Sequence, residues 1–174
     1  MKFRSSNILS AIALVFIVTF TACSKDDGPI PERIGIEDVP AVTTNLETGG
    51  TAANITFANQ AAFEGKIKLA MYFNDQTPPD KIDVVVRKNG AAANVKVYKA
   101  AVTSLPANYT ITAAEIETLF GAPLALNDTY DFAPDIYIGT KKYQAFPTTG
   151  LSAGQGITGM SSIGYSPMVR FSVK

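Results

Sequence analysis

The sequence predicts an all-β domain with two antiparallel sheets packed face to face and one short helix. Segments of alternating apolar and polar residues recur from residue 41 onward, as expected of strands with one buried face. Turn residues separate these segments, and the whole chain contains 13 Gly and 10 Pro. The chain is 47% hydrophobic, and its 174 residues give room for one domain of ordinary size with a single core.

Three candidate strands begin the domain. They span residues 42–45, 53–58 and 66–73. Gly49 and Gly50 lie between the first two, where paired glycines permit a tight turn. In the third strand, alternation places four apolar side chains on one face, which we expect to be core: Ile67, Leu69, Met71 and Phe73.

The clearest strand pair consists of residues 81–88 and 94–102. The first of these strands places three apolar side chains on one face: Ile82, Val84 and Val86. Asn89 and Gly90 form the strongest short turn signal in the chain. We therefore expect the two strands to pair as neighbours in one sheet.

A single helix is predicted after residue 112. Thr112 and Glu115 have the spacing of a capping box, in which each side chain accepts a hydrogen bond from the other residue's backbone N–H. Gly121 should end the helix. We expect its apolar side to cover the sheets.

The last third of the chain adds strands over residues 129–138, 142–146 and 168–173, and a glycine-rich loop over residues 148–166. A loop of this length within a compact domain is uncommon. Seven or eight short strands with regular turns predict a sandwich of immunoglobulin or fibronectin type. The chain has one Cys and no Trp, so the markers of true immunoglobulin domains are missing.

The first 22 residues have the three parts of a secretory signal. Lys2 and Arg4 are basic, residues 8–20 are apolar, and small residues precede Cys23. The apolar run is short for a membrane span of about 20 residues. We therefore expect residues 1–22 to be removed as a signal peptide, residues 23–40 to form a lipidated cysteine and flexible tether, and residues 41–174 to form the β-sandwich domain.

The residues around Cys23 resemble a bacterial lipobox, which implies that its thiol carries a diacylglyceryl group. The following Lys25, Asp26 and Asp27 are similar to the signal that displays Bacteroidetes lipoproteins on the outer face of the outer membrane. Residues 79–90 resemble a group of Bacteroidetes lipoproteins that accompany uptake systems of the starch-utilisation type. The resemblance implies an immunoglobulin-like domain, anchored by lipid and facing the cell exterior.

Composition argues against several other functions. Without Lys2 and Arg4, 13 basic residues stand against 15 acidic ones, so no basic footprint for nucleic acid remains. The chain has no His, the usual general base and metal ligand. We expect no cofactor. A hydrolase, which would need two paired carboxylates, is the least favoured class.

Four aspartates are weak candidates for a calcium site. They are Asp75, Asp80, Asp128 and Asp131. Their oxygens suit a hard cation. However, their spacing matches no calcium loop, and Asp is favoured in turns because it hydrogen-bonds its own backbone. We therefore expect no bound metal.

A ligand site is predicted around the turn that follows residue 138. The candidate residues are Tyr137, Lys141, Lys142, Tyr143 and Phe146. Aromatic faces stack on sugar rings and on protein partners. Two functions stay open: a non-enzymatic binding or accessory module for glycan or nutrient uptake, whose partners are a glycan or outer-membrane uptake proteins, and a structural or adhesive spacer.

Overall fold

The computed structural model describes residues 39–148 and 165–174, which belong to one compact unit, Asp38–Lys174. Outside the described residues lie the predicted signal, most of the predicted tether, with Cys23, Lys25, Asp26 and Asp27, and most of the glycine-rich loop.

The described residues form nine strands, one α-helix and one 3₁₀ segment. In chain order they are β1 (Val42–Leu46), β2 (Ala52–Ile55), the 3₁₀ segment (Phe57–Ala62), β3 (Glu64–Met71), β4 (Lys81–Lys88), β5 (Val95–Val102), β6 (Ala107–Thr112), α1 (Ala113–Phe120), β7 (Thr129–Ile138), β8 (Lys141–Tyr143) and β9 (Val169–Val173).

These strands form two sheets, as the sequence predicts. The smaller sheet has the order β1-β3-β6, and the larger has the order β2-β9-β7-β4-β5, with β8 also pairing with β7. The prediction that all pairs are antiparallel was wrong for β2, which runs parallel to β9. The physical reason is the tight turn at Gly49 and Gly50, after which the chain leaves β1's sheet and joins the free edge of β9.

The main core lies between the sheets and contains apolar side chains from both. Ile67 and Leu69 of the smaller sheet and Val84 and Phe132 of the larger are fully buried. Aromatic rings also meet edge to face across the larger sheet, with centroids 5.5 Å apart for Tyr98 and Phe132 and 5.6 Å apart for Phe132 and Phe171. Such pairs add to the stabilisation from burial.

The strongest local signals in the sequence are confirmed. β4 and β5 pair as an antiparallel hairpin, and Asn89 and Gly90 both have positive φ in its turn. Helix α1 has the expected capping box, in which Thr112 accepts from the Glu115 N–H at 3.3 Å and Glu115 accepts from the Thr112 N–H at 3.0 Å. It ends at Gly121 in the left-handed conformation.

The expectation that Phe73 lies in the core was wrong, because β3 ends at Met71 and Phe73 is 47% exposed beyond it. Two further predicted strands end well before the expected residue. The strand over residues 53–58 ends at Ile55, because its partner β9 ends at Val173, and a 3₁₀ segment follows with Phe57 exposed. The strand over residues 142–146 is wrong beyond Tyr143. There the chain leaves the sheet edge, and the Ala145 N–H donates to Asp135 Oδ1 at 2.8 Å.

Strand β5 contains a bulge opposite Asp83. Lys99 pairs with Val84 and Val102 with Ile82, so two residues of β5 face one residue of β4. Within the bulge, Ala101 has a φ of 54°, and its N–H donates to Asp83 Oδ1 at 2.7 Å. The left-handed conformation is costly for a residue with a Cβ, so this hydrogen bond helps to hold the bulge.

Substitution of Ala101 tests this strain. Ala101→Gly should leave the free energy of unfolding unchanged or raise it by up to about 1 kcal/mol, because Gly adopts positive φ without steric cost. The neighbouring Ala100→Gly should lower it by about 0.5–1 kcal/mol, as expected within a strand. Urea denaturation measures both, and equal losses at the two positions would contradict the strain.

Candidate functional site

The outer face of the larger sheet carries charged side chains that are largely buried. Alternation along β4 and β7 directs Val84 and Phe132 into the core, and their neighbours to the opposite face. Asp83 and Asp131 are among these neighbours, and Asp131 is 0% exposed. A buried carboxylate requires partners, since losing its hydration is costly.

Asp131 is held by two arginines from the strands on either side of β7. Arg170 of β9 donates from Nε to Oδ1 at 2.6 Å and from Nη2 to Oδ2 at 2.9 Å. Arg87 of β4 donates from Nη2 to Oδ2 at 2.9 Å. The Arg87 guanidinium also lies 4.1 Å from the centre of the Phe146 ring. This arrangement joins three strands through charge-assisted hydrogen bonds.

Asp83 and Asp135 lie opposite each other on β4 and β7, and each has its own partners. Asp135 pairs with Lys142 Nζ at 2.9 Å, and Asp83 accepts from the Tyr137 hydroxyl at 2.7 Å. Burial raises the pKa of Asp83, but hydrogen bonds from Ala101 and Tyr137 and nearby lysines outweigh it, so the pKa is lowered. Both carboxylates are therefore paired with other residues of the fold.

The structure brings together two of the predicted ligand residues, Tyr137 and Lys142, which pair across β7 and β8. The Lys142 ammonium lies 5.4 Å from the centre of the Tyr137 ring, and the Lys81 ammonium lies 4.5 Å from it. The hydrogen bond to Asp83 raises the pKa of Tyr137. The hydroxyl group and the ring of Tyr137 are therefore both already in contact with residues of the fold.

The other three predicted ligand residues are separated. Tyr143 pairs with Ile136 and packs against the main core, on the face opposite Tyr137. Phe146 is 4% exposed and packs with Val85 on the outer face. Lys141 is exposed at the turn. This placement favours a structural role for most of the predicted cluster, and its role in ligand binding stays a prediction.

The four aspartates proposed as weak metal ligands lie apart. Asp75 is exposed in the β3–β4 connection, and Asp80 accepts from the Gly139 N–H at 2.6 Å. Asp128 pairs with Lys88 Nζ at 2.7 Å, and Asp131 is paired as described above. Within residues 39–148 and 165–174, no group of three acidic or cysteine side chains is placed to hold a metal ion.

A groove opens between the two sheets at the end of β1. Strand β1 stops opposite Ile67, and β2 has crossed to the other sheet, so residues 64–66 of β3 extend beyond β1. The opening has a volume of about 430 Å³. Leu46, Ala53 and Phe63 supply apolar surface, and the Phe63 ring meets the fully buried ring of Phe171 edge to face, with centroids 5.2 Å apart.

The rim of the groove is polar. The lining residues with polar side chains are Thr48, Asn54, Thr56, Asn59, Glu64 and Lys66, of which Glu64 and Lys66 point to the face of β3 opposite Gly65. Over the described parts of the chain, none of these side chains makes a hydrogen bond or ion pair with another residue. The groove therefore differs from the outer face, where the carboxylates are paired internally, and it is the better candidate for ligand binding.

Gly65 gives the groove its floor. A Cβ at this position would lie 2.6 Å from Phe171 Cζ and 2.7 Å from Phe63 Cζ, which is closer than real contacts allow. Sequence analysis missed this site. An isolated Gly next to an alternating strand was the available signal, because it marks a close approach of other groups to the backbone.

Comparisons with protein-family models, with curated proteins and with solved structures find no match to this chain. Among the described residues, no helix is long and apolar enough to cross a membrane. The argument for the candidate site therefore rests on the positions and the chemistry of its residues alone.

The ionised Asp128 should make stability depend on pH. Burial raises its pKa, but hydrogen bonds from Lys88, Asn89, the Ala125 N–H and Tyr130 outweigh it and lower the pKa from 3.8 to about 2. Because the folded pKa lies below the unfolded one, this stabilisation is complete above about pH 5 and is lost as the pH falls toward 2.

Asp128→Asn should therefore lower the free energy of unfolding at pH 7 by about 1–2 kcal/mol. The difference from the wild type should narrow between about pH 5 and pH 2. Asp75→Asn, in an exposed connection, is the matched control and should have little effect at either pH. Chemical denaturation as a function of pH measures this, and a difference independent of pH would contradict it.

Proposed function

We propose that this chain is a lipoprotein held by Cys23 on the outer face of the outer membrane, and that its β domain is a non-enzymatic binding module. The support for anchoring is the sequence: an apolar segment, small residues and then Cys23, followed by Lys25, Asp26 and Asp27. Acyl chains bind a bilayer by about 0.8 kcal/mol per buried CH₂, so two or three chains hold a protein stably.

The observation that carries the binding role is the unpaired polar rim of the groove. Residues with unpaired polar side chains lie beside apolar surface there, and ligand sites combine apolar surface with polar groups that orient the ligand. Among the described residues that line the groove, Glu64 is the single carboxylate. Glycoside hydrolysis generally needs two, so the lining favours binding over catalysis.

We further propose that the two sheets form an immunoglobulin-like sandwich. The support is the strand order: β1, β3 and β6 correspond to strands A, B and E, and β4, β7 and β9 to strands C, F and G. The resemblance of residues 79–90 to Bacteroidetes lipoproteins supports the same proposal. It also suggests partners, namely a glycan or the proteins of an outer-membrane uptake system.

Cys23→Ala tests the anchor. In a Bacteroidetes host, the wild-type chain should be found in the membrane fraction, and Cys23→Ala should leave it because the acyl acceptor is lost. Ser24→Ala is the matched control and should stay with the membrane. A wild-type chain that is found in the soluble fraction would contradict the anchor.

Surface display is tested separately with protease added to intact cells. The wild-type chain should be degraded. A variant with Lys25, Asp26 and Asp27 all changed to Ala should stay in the membrane fraction but become protected. Complete protection of the wild type, with degradation only after lysis, would contradict display while leaving the anchor in place.

A further inference from the structure

Aromatic side chains cluster at the end of the domain where β1 begins. The rings of Tyr72 and Phe73 meet edge to face with centroids 4.7 Å apart, and those of Tyr72 and Tyr165 meet in the same way at 5.3 Å. The Tyr72 N–H donates to the carbonyl oxygen of Ala41, directly before β1, at 2.8 Å. These three rings, which we call the aromatic end, therefore lie beside the point where the chain enters the domain.

Phe73 gives the aromatic end an exposed apolar surface. It follows the last residue of β3 by two positions and is 47% exposed, whereas the inward-facing Leu69 of the same strand is fully buried. The Tyr72 ring packs against that of Phe73 and holds it at the surface. Apolar surface that stays in contact with water is stabilised when a partner covers it.

The connections at this end carry few charges. Residues 39–41, 72–80 and 103–106 contain two charged side chains, Asp75 and Asp80, and Asp80 accepts a hydrogen bond from the Gly139 N–H. The turn between β7 and β8 adds Lys141. Surfaces that bind anionic lipid or other polyanions carry clusters of Lys and Arg, which these connections lack. The partner that suits the aromatic end is therefore apolar or zwitterionic.

The route of the chain indicates which partner this is. Val39 already packs against the main core, and residues 24–38 separate it from Cys23. A segment of this length spans at most about 50 Å when fully extended. With Cys23 acylated as proposed above, the distance between the bilayer and the start of β1 is limited directly. Such a tether gives a high effective concentration, so a small apolar surface is enough for contact.

We propose that the aromatic end docks on the bilayer that holds the acyl chains of Cys23, with the Phe73 ring in the headgroup region. Aromatic side chains are favoured at this depth of a membrane. Strand β3 then runs away from the bilayer, and the groove beside Gly65, at the other end of β3, opens away from the lipid. The inference rests on the proposed anchor and adds a second, non-covalent contact with the membrane.

Tryptophan fluorescence tests this contact, because the chain has no Trp and one substitution supplies a single reporter. The acylated full-length Phe73→Trp chain is reconstituted into phosphatidylcholine vesicles with plain or brominated acyl chains. Bromine quenches the fluorescence of a nearby indole. The emission should lie at a shorter wavelength than that of an indole in water, and most of its intensity should be lost in the brominated vesicles.

Phe57→Trp is the matched control. Phe57 is 45% exposed, close to the value for Phe73, but it lies before β3 and Phe73 lies after it. The eight residues of β3 span about 26 Å. The indole has the same intrinsic preference for a membrane interface at both positions, so a difference reports the orientation of the domain. The control should keep its intensity in brominated vesicles, and circular dichroism melting checks that both variants are folded.

Flotation of the vesicles separates this inference from the anchor. A Phe73→Trp chain that floats with the vesicles but is not quenched, or is quenched no more than Phe57→Trp, overturns the inference and leaves the anchor in place. A wild-type chain that does not float contradicts the anchor and the inference together. Flotation with quenching at position 73 alone supports both.

Discussion

The buried carboxylate of Asp131 is the constraint on which the larger sheet depends. It lies on the central strand β7 with none of its surface exposed, so its charge must be satisfied by the neighbouring strands. Arg87 and Arg170 form ion pairs with Asp131 from either side. A shift of either strand by one residue would turn its arginine to the core face and leave a buried charge unpaired, so the interaction also fixes the register.

The same alternation that creates this charged face also shapes the groove. Phe132 and Phe171, on the inner face, continue a line of edge-to-face rings that ends at Phe63. Gly65 lets β3 approach these rings closely. The paired charges that stabilise the larger sheet therefore lie on its outer face, whereas the candidate groove lies at the edge between the two sheets.

Elements with local signals could be predicted from the sequence. The β4–β5 hairpin follows from Asn89 and Gly90, and helix α1 from the spacing of Thr112 and Glu115, because each signal acts within a few residues. Features that depend on distant strands could not be predicted. The end of β2 is set by β9 far along the chain, and Phe146 is buried against Val85 and Arg87 of the distant strand β4. The groove arises where β2 changes sheets, and only Gly65 hinted at it.

The central claim is that the outer face of the larger sheet maintains the fold while the groove is available to ligand. Urea denaturation of two sets of alanine variants tests it most directly. Variants of Asp83, Asp131 and Asp135 should lower the free energy of unfolding by about 1–4 kcal/mol, because each removes hydrogen bonds made within the fold, and the loss should be largest for Asp131, whose removal leaves the buried Arg87 unpaired. Variants of Asn54, Asn59 and Glu64 should stay within about 0.5 kcal/mol of the wild type. Groove variants that destabilise the fold as much as the outer-face variants would contradict the claim.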